Sequence, residues 1–142
     1  MSESLLDEGR IKALPEALVP MRERLLANLV MISQIPASSG NEAERVRFLL
    51  DRFTEAHLSD ASSDDAGNAV GRLRGTTGER TILLVSHLDT IVLPGEANDV
   101  RVQADRVIAP AIGDNALGAA IISLLPAVLE HLDIRLRSDL LL

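Results

Sequence analysis

Three side chains in this sequence have the chemistry of metal ligands at a suggestive spacing: His87, Asp89 and Asp114. Imidazole and carboxylate both suit a borderline divalent cation such as zinc. His87 and Asp89 lie two residues apart in "TILLVSHLDT" (81–90), and the period of two along a strand puts both on one side. Asp89 can then accept a hydrogen bond from the ring nitrogen of His87 that faces away from the metal. Such a carboxylate fixes the tautomer and makes the histidine a better ligand. Asp114 opens "GDNALGAA" at an expected helix start, where the helix dipole favours an acid, and from there it could reach the same ion or bridge two. Each signal has an ordinary reading as well. His-x-Asp arises often by chance, an aspartate at a helix start is a common N-cap, and a strand leaving the core for a polar loop also accounts for "SHLDT".

The elements around these residues must bring them together. "RTILLVSH" reads as the best strand, and its continuous apolar run predicts that both of its faces are covered. "GDNALGAAIISLLPAVLEHL" reads as a helix with a buried stripe of Leu117, Ile121, Leu124, Leu125 and Val128, and Pro126 should kink or divide it. Upstream, Leu18, Met21, Leu25, Leu26, Leu29 and Ile32 follow helical spacing, with Pro20 marking a start or a bend. Asn41 with Glu44 resembles a capping box for a second helix that buries Val46, Leu49, Leu50 and Phe53 and stops near His57. "SDASSDDAGN" (59–68) reads as a polar connection, its acids Asp60, Asp64 and Asp65 forming a charged loop. "AVGRLRG" reads as a short strand, "DVRVQADRVIAP" as a hairpin and "IRLRSDLLL" as a last buried strand. His57 and His131 read as solvated, without a role. Residues 1–14 form a polar arm, loose or weakly helical, and residues 15–142 one domain. Strands alternating with helices predict an α/β fold with a mainly parallel sheet flanked by helices. Ligands in that architecture gather at the carboxyl ends of the strands, where His87 and Asp114 both fall.

Composition narrows the function classes. The formal net charge of −7 gives nucleic-acid binding little support. Phe48 and Phe53 are the sole aromatic residues, so stacking platforms for bases or sugars are lacking. Cysteine is absent, which excludes disulfides and thiolate ligands and fits a reducing cytoplasm without excluding export. "MSESLLDEGRIK" does not have the form of a signal peptide. No apolar run reads as approaching the roughly 20 residues that cross a bilayer. The expectation is a cytoplasmic protein that binds neither membrane nor nucleic acid.

Taken in order, the motifs resemble a family. "LLANLVMISQIPASSGNEAERVRFLLDRF", then Gly67-Asn68 before a strand, then His87, Asp89 and Thr90, then a hairpin, then "APAIGDNALGAA" are similar to the amino-terminal part of a zinc-dependent hydrolase family. That family includes acetylornithine deacetylase, succinyl-diaminopimelate desuccinylase, carboxypeptidase G and aminotripeptidase. The resemblance runs from about residue 24 to the end. It implies that His87 ligates one zinc, that Asp114 bridges two, and that Asp89 is the catalytic residue that orients His87. It also implies a cis peptide between Asp114 and Asn115. The implied cofactor is a pair of zinc ions, with cobalt or manganese as substitutes, and the implied substrate is a peptide or an N-acyl amino acid. Ala109 and Ala111 depart from the pattern, because members often have glycine there, and this puts the backbone approach to Asp114 in question.

In the resembling family a Glu-Glu pair, a further acidic ligand and a late histidine lie downstream, and none has a counterpart here. A lid domain that often makes the dimer is absent too, so a homodimer would require it. The expectation is therefore the front half of a metallohydrolase catalytic domain, truncated and inactive alone. A naturally short derivative is the other explanation. Two rival functions stand beside it: an aminopeptidase of the related zinc family, and a non-catalytic interaction module that keeps the scaffold.

Overall fold

A computed structural model describes residues 8–93, 95 and 98–142. The amino-terminal part of the expected arm, residues 1–7, lies outside the described residues. Four helices are described: α1 (Glu8–Ala17), α2 (Arg22–Ser33), α3 (Ala43–Glu55) and α4 (Leu117–His131). The strands are β1 (Ser59–Ser63), β2 (Ala69–Leu73), β3 (Thr81–Leu83), β4 (Arg101–Val102), β5 (Val107–Ile108) and β6 (Asp139–Leu141). Pro20 lies in a single 3-10 turn, Val19–Met21, that separates α1 from α2. Proline lacks the N–H a continuous helix would need there.

The fold is α/β with a mixed sheet flanked by helices. The main sheet runs β1-β2-β6-β3, and β4 and β5 form a separate antiparallel hairpin, as expected for 99–110. Parallel pairing is confined to β3 with β6; β1 with β2 and β2 with β6 are antiparallel, so the sheet is not mainly parallel. The difference comes largely from Ser59–Ser63, which reads as a polar connection yet forms an edge strand against β2. Asp64 accepts from the backbone N–H of Ala66 and of Asn68, and Gly67 at φ +87° completes the turn between the two strands. The pairing is set by this turn, because β1 itself has no apolar alternation to announce it.

Helices α3 and α4 pack on the sheet through one apolar cluster. Phe53 of α3 meets Leu58, Leu140 and Leu142, with Ile122, Leu125 and Leu129 of α4 alongside. Phe53 is only 1% exposed, and burying such a side chain contributes about 2–3 kcal/mol. The approach is close enough that a Cβ on Gly71 of β2 would stand 2.8 Å from the Phe53 ring. A second cluster joins α2 to α4 through Leu29, Ile32, Leu49, Ala116, Ala119 and Ala120.

That cluster corrects the stripe expected for α4. Leu117 and Ile121 are exposed, whereas Ala119, Ala120, Ser123 and Leu124 are buried. Small residues face α2 because they let the two helices approach closely, and buried Asn28 donates to Ser123 Oγ at 2.9 Å across the contact. Pro126 lies within α4 without dividing it. By length and composition alone Ile112–His131 passes as a bilayer span, contrary to the sequence reading. Here α2 and α3 pack against it.

The largest correction concerns β3. It lies at the edge of the sheet, and Ile82, Leu83, Leu84 and Val85 are all exposed. A continuous apolar run shows what a strand could bury; whether neighbours cover it depends on the sheet order.

Candidate functional site

Parallel β3 and β6 run side by side, and the chain leaves β3 through Leu84, whose N–H donates to Leu141 O at 2.9 Å. Ser86, His87, Leu88 and Asp89 follow immediately beyond this carboxyl end. Past the β4–β5 hairpin, an irregular turn, Ile112–Ala116, leads into α4, with Asp114 and Asn115 outside helical φ and ψ. The peptide bond between those two residues is cis, as the resemblance implied. Asn115 Nδ2 donates to Ser86 Oγ at 2.8 Å and so ties this turn to the end of β3.

The backbone leading to Asp114 meets the doubt raised by Ala111. Its φ is +51°, in the left-handed region that glycine favours. The alanine takes this conformation at a steric cost that a glycine would not carry.

The structure brings all three sequence candidates together. His87 Nδ1 lies 3.1 Å from Asp89 Oδ1, and His87 Nε2 lies 3.1 Å from Asp114 Oδ1. The side chains remain open to solvent, with 53% exposure for His87 and 88% for Asp114. Ser39 Oγ donates to Asp89 Oδ2 at 2.9 Å. That bond is the main cause holding the Asp89 carboxyl below the usual carboxylate range, with His87 adding to it.

These contacts fix the ring chemistry. An ionised Asp89 has no proton to give, so the bond to His87 Nδ1 requires the proton to sit on Nδ1. Nε2, on the other side of the ring, faces the Asp114 carboxylate 3.1 Å away. Two acceptors facing each other at that distance repel unless a proton or a cation joins them. Imidazole nitrogen and carboxylate oxygen are both donors that a divalent cation takes, so the pair fits one. Two ligands about 2.1 Å from a tetrahedral zinc stand about 3.4 Å apart, close to the observed separation. Asp89 sits on the opposite side of the ring and acts through His87, so two donors converge. Among the described residues no group of three or more His, Cys, Asp or Glu converges on one point.

The segment "IPASSGNE" before α3 contributes residues that sequence reasoning did not assign. The expected capping box is not formed: Asn41 Nδ2 donates to Ser38 Oγ, and Glu42 accepts from the N–H of Gly40. Arg45, buried on α3, donates to the carbonyls of Ile35 and Leu88, at 2.9 and 3.0 Å. The N–H of Thr90 donates to Ala37 O at 2.7 Å. An arginine next to Val46 and one turn before Leu49, on an apolar helix face, was the available signal. Its partners are backbone carbonyls, which leave no mark in the sequence. His57 is exposed, and His131 Nε2 lies 2.9 Å from Ala17 O at the end of α1; neither approaches the site.

Comparison with known proteins adds the following. No protein-family model matches the chain. Protein YqjE of Bacillus subtilis, itself uncharacterised, is 32% identical over 105 residues, covering 68% of this chain and 27% of that protein. A tripeptidase from Staphylococcus aureus and aminopeptidase PepT from Bacillus cereus each superpose with a TM-score of 0.69 at 23% identity. In both cases 84% of this chain and 35% of the other are covered. The chain thus spans about a quarter of the length of YqjE and about a third of each peptidase. At this level of identity the likeness establishes the fold, and the fold is one that two solved peptidase structures contain.

Proposed function

We propose that the chain supplies the first part of the metal site of a metal-dependent hydrolase that cleaves amide bonds in short peptides or N-acyl amino acids. One observation carries this reading: His87 Nδ1 lies 3.1 Å from Asp89 Oδ1 while Nε2 faces the Asp114 carboxylate at 3.1 Å. The similarity in fold to a tripeptidase and an aminopeptidase supports the same reaction class. His87 and Asp114 would hold the ion, zinc first and cobalt or manganese as substitutes. A bound divalent ion supplies Lewis acidity toward a substrate carbonyl. Asp89 keeps His87 in the tautomer that presents Nε2, and Asn115, through Ser86, keeps the turn carrying Asp114 against the end of β3.

A catalytic zinc takes three protein ligands and an open position. Among the described residues two donors converge, one fewer than such a site takes, and no base is placed beside them. Alone, the chain is expected to bind zinc and to hydrolyse little. The acidic charge and the presence of only two aromatic residues favour a peptide-like substrate over nucleic acid, and the lack of cysteine suits a cytoplasmic setting.

Calorimetric titration of zinc into the wild-type chain and into His87→Ala tests this. Binding lost in the variant supports the reading; equal binding removes His87 from the site. The convergence of two donors among the described residues favours one other reading, an interaction module that keeps the scaffold without chemistry. Absence of zinc binding by the wild type would favour that module.

A further inference from the structure

Asp89 has two carboxylate oxygens and uses both. Oδ1 meets His87 Nδ1, and Oδ2 accepts from Ser39 Oγ. The terminal torsion of an aspartate is broad, so one hydrogen bond leaves the carboxylate plane free to swing. A second bond on the other oxygen defines the plane. Ser39 is well placed to supply it, because its own backbone is held. Thr90 N–H on Ala37 O and Arg45 between the carbonyls of Ile35 and Leu88 fasten the segment 35–40 to the segment 87–90. Ser39 itself is exposed and fills no apolar space, which makes its hydroxyl bond its main contribution.

We propose that Ser39 is a positioning residue of the site: its hydroxyl pins Asp89 Oδ2, so that Oδ1 stays on His87 Nδ1 and Nε2 stays turned toward Asp114. This rests on the reading of His87 as a metal ligand. The neighbouring Ser38 differs in role, since its hydroxyl accepts from Asn41 within the loop and does not touch Asp89.

The test uses the whole chain as wild type, Ser39→Ala, Ser39→Thr and Ser38→Ala. Nitrogen-15 NMR of metal-free protein at about pH 8.5, where an ordinary histidine is neutral, reads the share of His87 protonated on Nδ1. Ser39→Ala is expected to lose much of that form, while Ser39→Thr and Ser38→Ala keep the wild-type share. An unchanged share in Ser39→Ala, or an equal loss in Ser38→Ala, overturns the proposal. Zinc titrated against a chromophoric chelator is the second readout. Ser39→Ala is expected to bind about tenfold more weakly, with rescue by threonine, in the range seen for residues that orient a ligand. Zinc affinity equal to wild type in Ser39→Ala also overturns the proposal. Should the wild type bind no zinc, the functional reading falls, while the tautomer measurement still decides the role of Ser39.

Discussion

Arg45 reaches from α3 to the carbonyl of Leu88, so a side chain 2% exposed holds the backbone between His87 and Asp89. Its second bond, to Ile35 O, fixes the far side of the loop. Burial pushes the guanidinium pKa down, and the nearby Asp89 charge opposes the shift. Two carbonyls depend on this one fork of donors.

Arg45→Met keeps most of the volume and removes both donors. Leaving two partly buried acceptors without these donors is expected to cost about 1–3 kcal/mol of folding stability. Lysine has a single charged head and cannot reproduce the fork, so Arg45→Lys should recover part of the loss. Urea unfolding midpoints of the three proteins check this. A loss below about 0.5 kcal/mol in Arg45→Met would show that the carbonyls find other donors.

Ala111 sits at φ +51° on the approach to Asp114. Left-handed backbone costs an alanine about 1–2 kcal/mol, and glycine escapes that cost while losing about 0.5–1 kcal/mol through its freer unfolded chain. Ala111→Gly should therefore be as stable as wild type or slightly more so. Ala111→Val, branched at Cβ, should be less stable by more than about 1 kcal/mol. Thermal unfolding of the pair checks the order, and a valine variant as stable as the glycine one would contradict it.

Asp139, 4% exposed at the start of β6, is the carboxylate that organises the far end of the sheet. It accepts from Gly75 N–H at 2.8 Å and from Arg72 and Arg74 at 3.1 and 3.3 Å. The Gly75 bond foremost, with the arginines, holds its carboxyl below the ordinary range. A depressed folded pKa means that the stabilisation is complete above the unfolded value. It is lost as pH falls from about 4 through the lower folded value. Asp139→Asn should be less stable at neutral pH and should show a shallower loss below about pH 4. Chemical denaturation at a series of pH values measures both. Parallel curves for the two proteins would remove Asp139 from the acid response.

The fold and site were legible to different depths. That His87, Asp89 and Asp114 lie together could be anticipated because ligand chemistry restricts residue type and the motifs place all three beyond strand ends. The cis Asp114–Asn115 bond was implied by the family resemblance alone. Ser39 and Arg45 could not be read, because their partners are a distant carboxylate and two backbone carbonyls that only the packed loop brings near. β1 was missed because a polar edge strand carries no apolar alternation, and its pairing comes from the Asp64–Asn68 turn.

β3 was misread for the opposite reason, and its exposure leads to the last prediction. Thr81–Val85 contains no charge and no proline, and Ile82, Leu83 and Leu84 are 46%, 61% and 37% exposed, with Val85 at 78%. One edge of the strand pairs with β6, and no other strand pairs with it among the described residues. Proteins usually guard such an edge with a lysine, a proline or a bulge, because an unguarded one pairs with another chain. The isolated chain is therefore expected to self-associate as its concentration rises. Val85→Lys should keep it monomeric to higher concentration. This position is two residues before His87, so a zinc titration alongside checks that the site is intact. Light scattering on a size-exclusion column reads the mass directly. A wild type that stays monomeric across the micromolar range, or a lysine variant that associates equally, would show that this edge does not drive assembly.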